Sequence, residues 1–314
     1  MATTIGVGAE YARRSVRDQL TRGKRDHTGR IFQLLLWLSL GFSLGVLAIL
    51  FYDVFIEGVG VFSDRAESFL SGGLRSSAAA SGVFQAIKGT FWIGVFVVVL
   101  SFPIGVASAV YLEEYATKGR LAQLIDVNIR NLAGVPSIVY GILGLALFVQ
   151  SMEAFTGGRT LMAAGITLAI LVLPIVIITG AEAVRAVPSS LREGAYAVGA
   201  TRSEVVRTQV LPYAFPGIIT GTVLALARAI GEAAPLYLVG AVTGLLPGKE
   251  ALLDPSQLQE RFTALPVVIA EWARNPREGF SEIAAAAIMV MLLIVLIMNT
   301  IAIVLRTHYE KKRS

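Results

Sequence analysis

The chain has 314 residues, 55% of them hydrophobic and 16% charged, with a mean hydropathy of +0.69. A soluble domain of this length needs a more polar coat, and the absence of cysteine excludes a disulfide framework and any cysteine-ligated zinc or iron–sulfur centre. The only two histidines, His27 and His308, lie in charged terminal tails, which argues against an imidazole-based metal or acid–base centre, and the net charge of +5 comes without the aromatic–basic interleaving of a nucleic-acid surface.

Six apolar blocks are long enough to cross about 30 Å of hydrocarbon, which takes roughly 20 residues each. They fall near Ile31–Phe55, Thr90–Tyr111, Asn131–Ser151, Thr160–Gly180, Gly217–Leu246 and Ile283–Leu305. The first follows a largely polar tail, exceeds the apolar core of a signal peptide and has no A-x-A site close behind it, so it reads as a retained anchor. The Gly/Ser/Ala-rich stretch from Ser71 to Gly82 then reads as a flexible external linker. Lysine and arginine set the orientation. Eighteen of them fall in the N-terminal tail, the second and fourth connections and the C-terminus, against eight in the first, third and fifth connections. Both termini are therefore expected to be cytoplasmic. In the long fifth connection, Ala264–Ala273 is too short to span and reads as a surface helix whose Trp272 suits the headgroup zone. No repeat of 20–50 residues and no inverted repeat is visible.

The fourth connection is the most specific part of the chain. Ser190 with Glu193, and Thr201 with Glu204, match the capping-box spacing, so two short helices are expected. Gly199 between them suits a left-handed residue that closes the first, and Pro212 is expected to stop the second. A helix, a glycine bend and a second helix on the cytoplasmic face form a handle for a partner.

On these residues the chain resembles the permeases of ATP-binding-cassette importers, whose signature is E-A-A-x-x-x-G and, after nine intervening residues, I-x-L-P. Here the matching positions are Glu193, Gly194, Ala195, Gly199, Gln209, Leu211 and Pro212; Gly194 and Gln209 depart from the pattern. Three further stretches resemble the PstA family of phosphate-importer permeases more closely than the PstC family: Pro103–Ala116 with Tyr-Leu-Glu-Glu-Tyr, Asn131–Gly141 with Val-Pro-Ser-Ile-Val-Tyr, and Ala227–Leu236 with Gly-Glu-Ala-Ala-Pro-Leu. The resemblance covers roughly residues 80–308 and implies an all-α integral membrane protein with six transmembrane helices in the type I importer permease fold. Charge, composition and the apolar blocks give a basic cytoplasmic tail over 1–30, a first transmembrane helix and external linker over 31–82 and a basic tail over 309–314, and the resemblance implies a permease domain over 83–308. Within the permease domain it places a coupling loop at 185–213 and an external loop at 247–281. The loop 185–213 would seat in a cleft of a separate ATPase.

Arg228 is the most costly residue for a bilayer. It lies twelve residues after Pro216, about 18 Å into the fifth block, where an arginine costs at least about 2.5 kcal/mol and must face protein, water or a counter-charge. Glu232 stands one turn on. The two form either a packing ion pair or a site where Arg228 offers a planar donor fork to a tetrahedral oxyanion while Glu232 orients it. Ser137 and Tyr140, three residues apart, could add neutral donors or simply bond backbone. Pro103, Pro136 and Pro174 are candidate hinges or fixed bends.

No P-loop is present; Gly244–Glu250 has the wrong spacing and a glutamate where Ser/Thr should hold magnesium. The chain therefore binds no cofactor and is not itself an enzyme. The resemblance implies ATP and Mg²⁺ on a PstB-like ATPase pair, a PstC-like permease partner, a PstS-like phosphate-binding protein, phosphate as substrate, surrounding membrane lipid and no nucleic acid. A PstC-like role, another oxyanion such as sulfate or molybdate, and a proton-coupled secondary transporter using Glu232 are the alternatives. An intramembrane enzyme fails for want of converging catalytic groups.

Overall fold

The computed structural model describes residues 27–117, 119–244 and 258–311. Most of the basic N-terminal tail, the segment 245–257 that opens the loop expected to be external, and the last residues, 312–314, lie outside them. Two compact units divide the chain, Met1–Asp53 and Val54–Ser314. The described part of the first is helix, with an apolar run from Ile31 to Tyr52.

Among the described residues every regular element is helical. In chain order they are α1 (His27–Ser71), α2 (Phe84–Val110), α3 (Arg120–Ala133), α4 (Ser137–Gly144), α5 (Glu153–Thr156), α6 (Leu161–Arg185), α7 (Ser189–Ala197), α8 (Arg202–Val205), α9 (Leu211–Gly231), α10 (Ala234–Val239), α11 (Leu265–Trp272) and α12 (Phe280–Lys311). Wider π turns extend α2 over Tyr111–Tyr115, extend α4 over Leu145–Ser151, and join α8 to α9 over Val206–Val210. Among the described residues five helices are long and apolar enough to cross a membrane, or six where the bent pair is counted as one span. With an apolar hydrocarbon around it, a helix is the form that satisfies its own backbone, which is why composition alone led to this class.

The expected third span, Asn131–Ser151, is not one straight helix. Arg120–Ala133 and Ser137–Ser151 meet at 98° across Gly134-Val135-Pro136. Pro136 lacks an N–H and biases Val135 away from helix, so the chain turns there and a new helix starts at Ser137. By contrast Pro103 and Pro174 sit inside α2 and α6, which run on past them.

The fifth expected span, Gly217–Leu246, is displaced towards the N-terminus. Its helix begins at Arg202 and ends at Gly231, where Glu232 turns extended (φ −83°, ψ 115°) before the short α10. Pro212 therefore does not stop a helix. The π turn before it, in which the Leu211 N–H donates to the Val206 carbonyl, widens the backbone ahead of the proline ring and lets the helix continue.

Helix α6 is the most deeply buried of the spans and packs most extensively against α2 and α9. A buried Ser101 hydroxyl on α2 donates to the Ala169 carbonyl of α6 at 2.7 Å, a cross-helix bond worth more as register than as energy.

The stretch from Ser71 to Gly82 is ordered, contrary to its composition. Arg65, where α1 departs from helical geometry, donates to the carbonyls of Ala78 and Ser81, and the buried Ser81 hydroxyl bonds the backbone of Arg75 in both directions. Leu74, Ala78 and Val83 are buried with Phe69, Phe280 and Trp272. Trp272 is thus a core residue, 3% exposed and 6.5 Å from the Phe69 ring, and does not face a headgroup zone as its sequence context suggested. Helix α11 is held down on α2: the Leu265 N–H donates to the Thr90 hydroxyl, and Gly89 admits the carbonyl of Thr263 into the space a side chain would fill.

Candidate functional site

Two groups of residues stand out. The first surrounds Arg228, in the last turn of α9. Its Nε faces Glu232 Oε1 at 3.4 Å; the arginine side chain is 44% exposed and the glutamate 20%. Glu232 is past the end of the helix, so the pair is formed by the chain's turn and not by two residues stacked on one helical face. Among the described residues the terminal amino groups of the guanidinium make no hydrogen bond, which leaves the outer edge of the fork open.

Directly after Glu232, α10 packs against α4, and Gly141 allows this because a side chain there would strike Pro235 and Leu238. That contact brings the start of α4 beside the Arg228–Glu232 turn. Tyr140 itself is buried, and its hydroxyl donates to the Leu132 carbonyl at 2.9 Å, across the bend between α3 and α4. It is a brace for that bend, and its proton is committed. Ser137, one turn earlier, is half-buried at the first position of α4.

The second group is the loop 185–213. Helix α7 carries Glu193 and Gly194 on its exposed side and Ala195 against the apolar cluster of Val184, Val187, Val205, Val210, Ala214 and Ile218, which Leu211 also joins. Pro212 is exposed. A side chain at Gly194 would meet nothing, so the departure from alanine there answers no steric demand within this chain. Gly199 has φ +85°, the left-handed bend that its position between two helices suggested. The Thr201–Glu204 capping box is present with both of its hydrogen bonds. The Ser190–Glu193 box is not: Pro188, extended at ψ 137°, occupies the position before the helix, so Ser190 is already inside it and cannot cap.

Three residues that the sequence reading used only for resemblance organise this loop. In the π turn ending α2, Glu113 pairs with Arg185 at the end of α6, Glu114 Oε1 accepts from Arg192 of α7 at 2.8 and 3.0 Å, and the Tyr115 ring lies 5.1 Å from the Arg202 guanidinium of α8. Arg192 also donates to the carbonyls of Val184 and Val187. The available signal was two adjacent carboxylates closing an apolar helix, where the negative end of the dipole makes them unwelcome without cations.

No group of three or more histidine, cysteine, aspartate or glutamate side chains among the described residues is placed to hold a metal. Helices of membrane-crossing length that carry an exposed helix–bend–helix loop and a guanidinium near the end of an unbroken span define an integral membrane protein.

The comparisons agree. Residues 101–314 match the family described as "Binding-protein-dependent transport system inner membrane component", and the chain belongs to that family. It is a multi-pass inner-membrane protein and a non-catalytic subunit of an ABC importer. Phosphate transport system permease protein PstA 1 of Mycobacterium tuberculosis is 34% identical over 244 residues, 77% of this chain and 76% of the relative. PstA of Yersinia pestis is 33% identical over 237 residues, 76% and 75% of the two chains. Among solved structures, a chain of a bacterial alginate ABC transporter superposes with a TM-score of 0.60 at 16% identity, covering 89% of this chain and 96% of the other, a likeness of fold.

Proposed function

We propose that the chain is the PstA-type subunit of an ATP-driven importer of inorganic phosphate and that Arg228 handles the anion. The observation that carries this reading is the division of labour within Arg228: Nε faces Glu232, while the outer pair of amino groups points its planar fork at no protein acceptor among the described residues. A tetrahedral oxyanion fits such a fork in bidentate fashion. Glu232, a fixed negative charge beside it, keeps the site from holding the anion too tightly, and a path must release what it binds. Ser137 and Tyr140 shape the adjoining wall. The names of the relatives support phosphate over other oxyanions.

In this reading the loop 185–213 seats in a PstB-like ATPase, one of a pair, through Glu193, Gly194, Ala195 and Gly199, with Leu211 and Pro212 carrying the loop into the fifth span. ATP and Mg²⁺ belong to that partner. A PstC-like permease completes the pore, a PstS-like protein delivers phosphate from outside, and both termini are cytoplasmic. The permease domain is 83–308, preceded by the first span and its external connection.

The test is the double change Arg228→Leu with Glu232→Leu in the reconstituted complex. Removing both charges removes the burial cost of each, so a pure packing pair tolerates the change. The expected outcome is a complex that assembles and hydrolyses ATP yet moves no phosphate; near-normal uptake by the assembled variant refutes the assignment. Arg228→Lys, which keeps charge and loses the fork, separates the two contributions.

A further inference from the structure

The loop 185–213 is joined by the chain itself to α6 before it and to α9 after it. Helix α2 has no such continuity with the loop, although it packs more extensively on α6 than any other element does. What connects α2 to the loop is its terminal turn, Tyr111–Tyr115, where three successive side chains receive arginines from three different elements: Glu113 from α6, Glu114 from α7 and Tyr115 from α8. Beside it lies an apolar contact, with Phe102, Val106 and Val110 packed against the cluster of Val205 and Val210. Apolar contact is non-directional and allows sliding. A guanidinium that grips one carboxylate oxygen through Nε and Nη2, and two backbone carbonyls through Nη1 and Nη2, is directional and does not. Glu114 and Arg192 are also sheltered, with side chains 7% and 21% exposed, so water does not compete as it does at an ordinary surface pair.

The location argues further. The C-terminal end of a helix is the least favourable place for carboxylates, because the dipole there is already negative. Two in succession need the arginines opposite to be tolerated, and local propensity is overridden in this way where position matters more than stability.

We propose that the Glu113–Glu114–Tyr115 turn is the link through which displacement of the coupling loop is passed to α2, with Glu114 as its principal positioning residue. The inference rests on the reading of 185–213 as the ATPase seat. Loss of the link leaves ATPase docking and hydrolysis in place, because Glu193 and Gly194, offered to the ATPase, are exposed and take no part in the Glu114–Arg192 contact, and removes the movement of α2 that transport needs.

The chain has no cysteine, so engineered thiols report cleanly when the partner chains are also cysteine-free. A reporter is introduced by Tyr111→Cys, at an exposed position of α2, and its labelling by a soluble thiol reagent is followed in the full complex with and without ATP and vanadate. With native Glu114, nucleotide changes the labelling rate. With Glu114→Gln the expected result is unchanged co-purification of the ATPase, ATP hydrolysis within about twofold of the native complex, no nucleotide effect on labelling, and phosphate moved per ATP lower by at least about tenfold. Without the reporter, a second variant, Glu114→Cys with Arg192→Cys, shows the same uncoupling; a bifunctional thiol crosslinker of matching length then restores phosphate per ATP by rejoining the elements without their charges.

Phosphate per ATP that stays within about twofold in Glu114→Gln, or a crosslink that restores nothing, overturns the link. A parallel fall in co-purification, hydrolysis and uptake also overturns it, since that marks a role in folding alone. A native complex that hydrolyses ATP without moving phosphate refutes the phosphate reading instead; the link is then decided by the labelling of the reporter, which needs no substrate.

Discussion

Single residues decide more here by what they leave out than by what they contribute. Gly89 lets the helix α11 settle on α2, because a side-chain carbon at that position would lie 1.8 Å from the Thr263 carbonyl oxygen, and backbone cannot move aside as a side chain can. Gly89→Ala should therefore destabilise the protein by about 1–3 kcal/mol or more, read as a lower midpoint of thermal aggregation in detergent, while Gly194→Ala, which adds a methyl group into open space, should be neutral or stabilising by up to about 1 kcal/mol. The sequence could not tell these glycines apart, since what distinguishes them is a carbonyl 174 residues away in one case and solvent in the other. Arg228 was legible for the opposite reason: a permanent charge inside an apolar block is anomalous whatever surrounds it. Its partner Glu232 was legible by spacing, but the helix end between the two residues was not. Tyr140 was legible as a polar group in an apolar span and illegible as a brace, because its acceptor lies across the bend at Leu132.

Local chemistry set some element ends as read and others not, since Pro188 begins α7 too early for Ser190 to cap it. The Thr201–Glu204 box and the Gly199 bend need only their own residues, and both are present. Pro212 failed as a stop because a helix can absorb a proline by widening one turn, and the π turn at Val206–Val210 does so. The ordered stretch after α1 was unreadable because Arg65 and Ser81, which hold it, are separated by sixteen residues. At this scale the handle itself is testable. Gly199→Val puts a β-branched residue where φ is +85°, so it should straighten or melt the turn between α7 and α8. The variant is expected to insert into the membrane at native level and to lose the co-purifying ATPase; retention of the ATPase together with transport would show that the loop is not its seat.

The distribution of charge over the whole molecule fixes what can be asked of its orientation. With eighteen lysines and arginines on one side and eight on the other, Val198 in the loop 185–213 is expected to face the cytoplasm and Glu278 near the start of α12 the outside. Both are exposed, and both can be replaced singly by cysteine in a chain that has none. A membrane-impermeant reagent applied to intact cells should label Glu278→Cys and spare Val198→Cys, and the reverse pattern would invert the topology. The class of protein was legible at this scale because block length and charge asymmetry are properties of the whole chain, insensitive to where any one helix ends.

The uninterrupted course of the helix from Arg202 to Gly231 imposes a constraint on how such a chain can change over time. Each residue advances a helix by about 100°, so the direction in which Arg228 points is locked in angle to the loop at Arg202. Adding or removing one residue between them would turn the guanidinium by about 100° about the helix axis, whereas residues may be gained in the loop after Gly240 without any such rotation. The interval between the handle and the arginine can therefore be revised only in near-whole turns, and drift in length has to be taken up elsewhere in the chain.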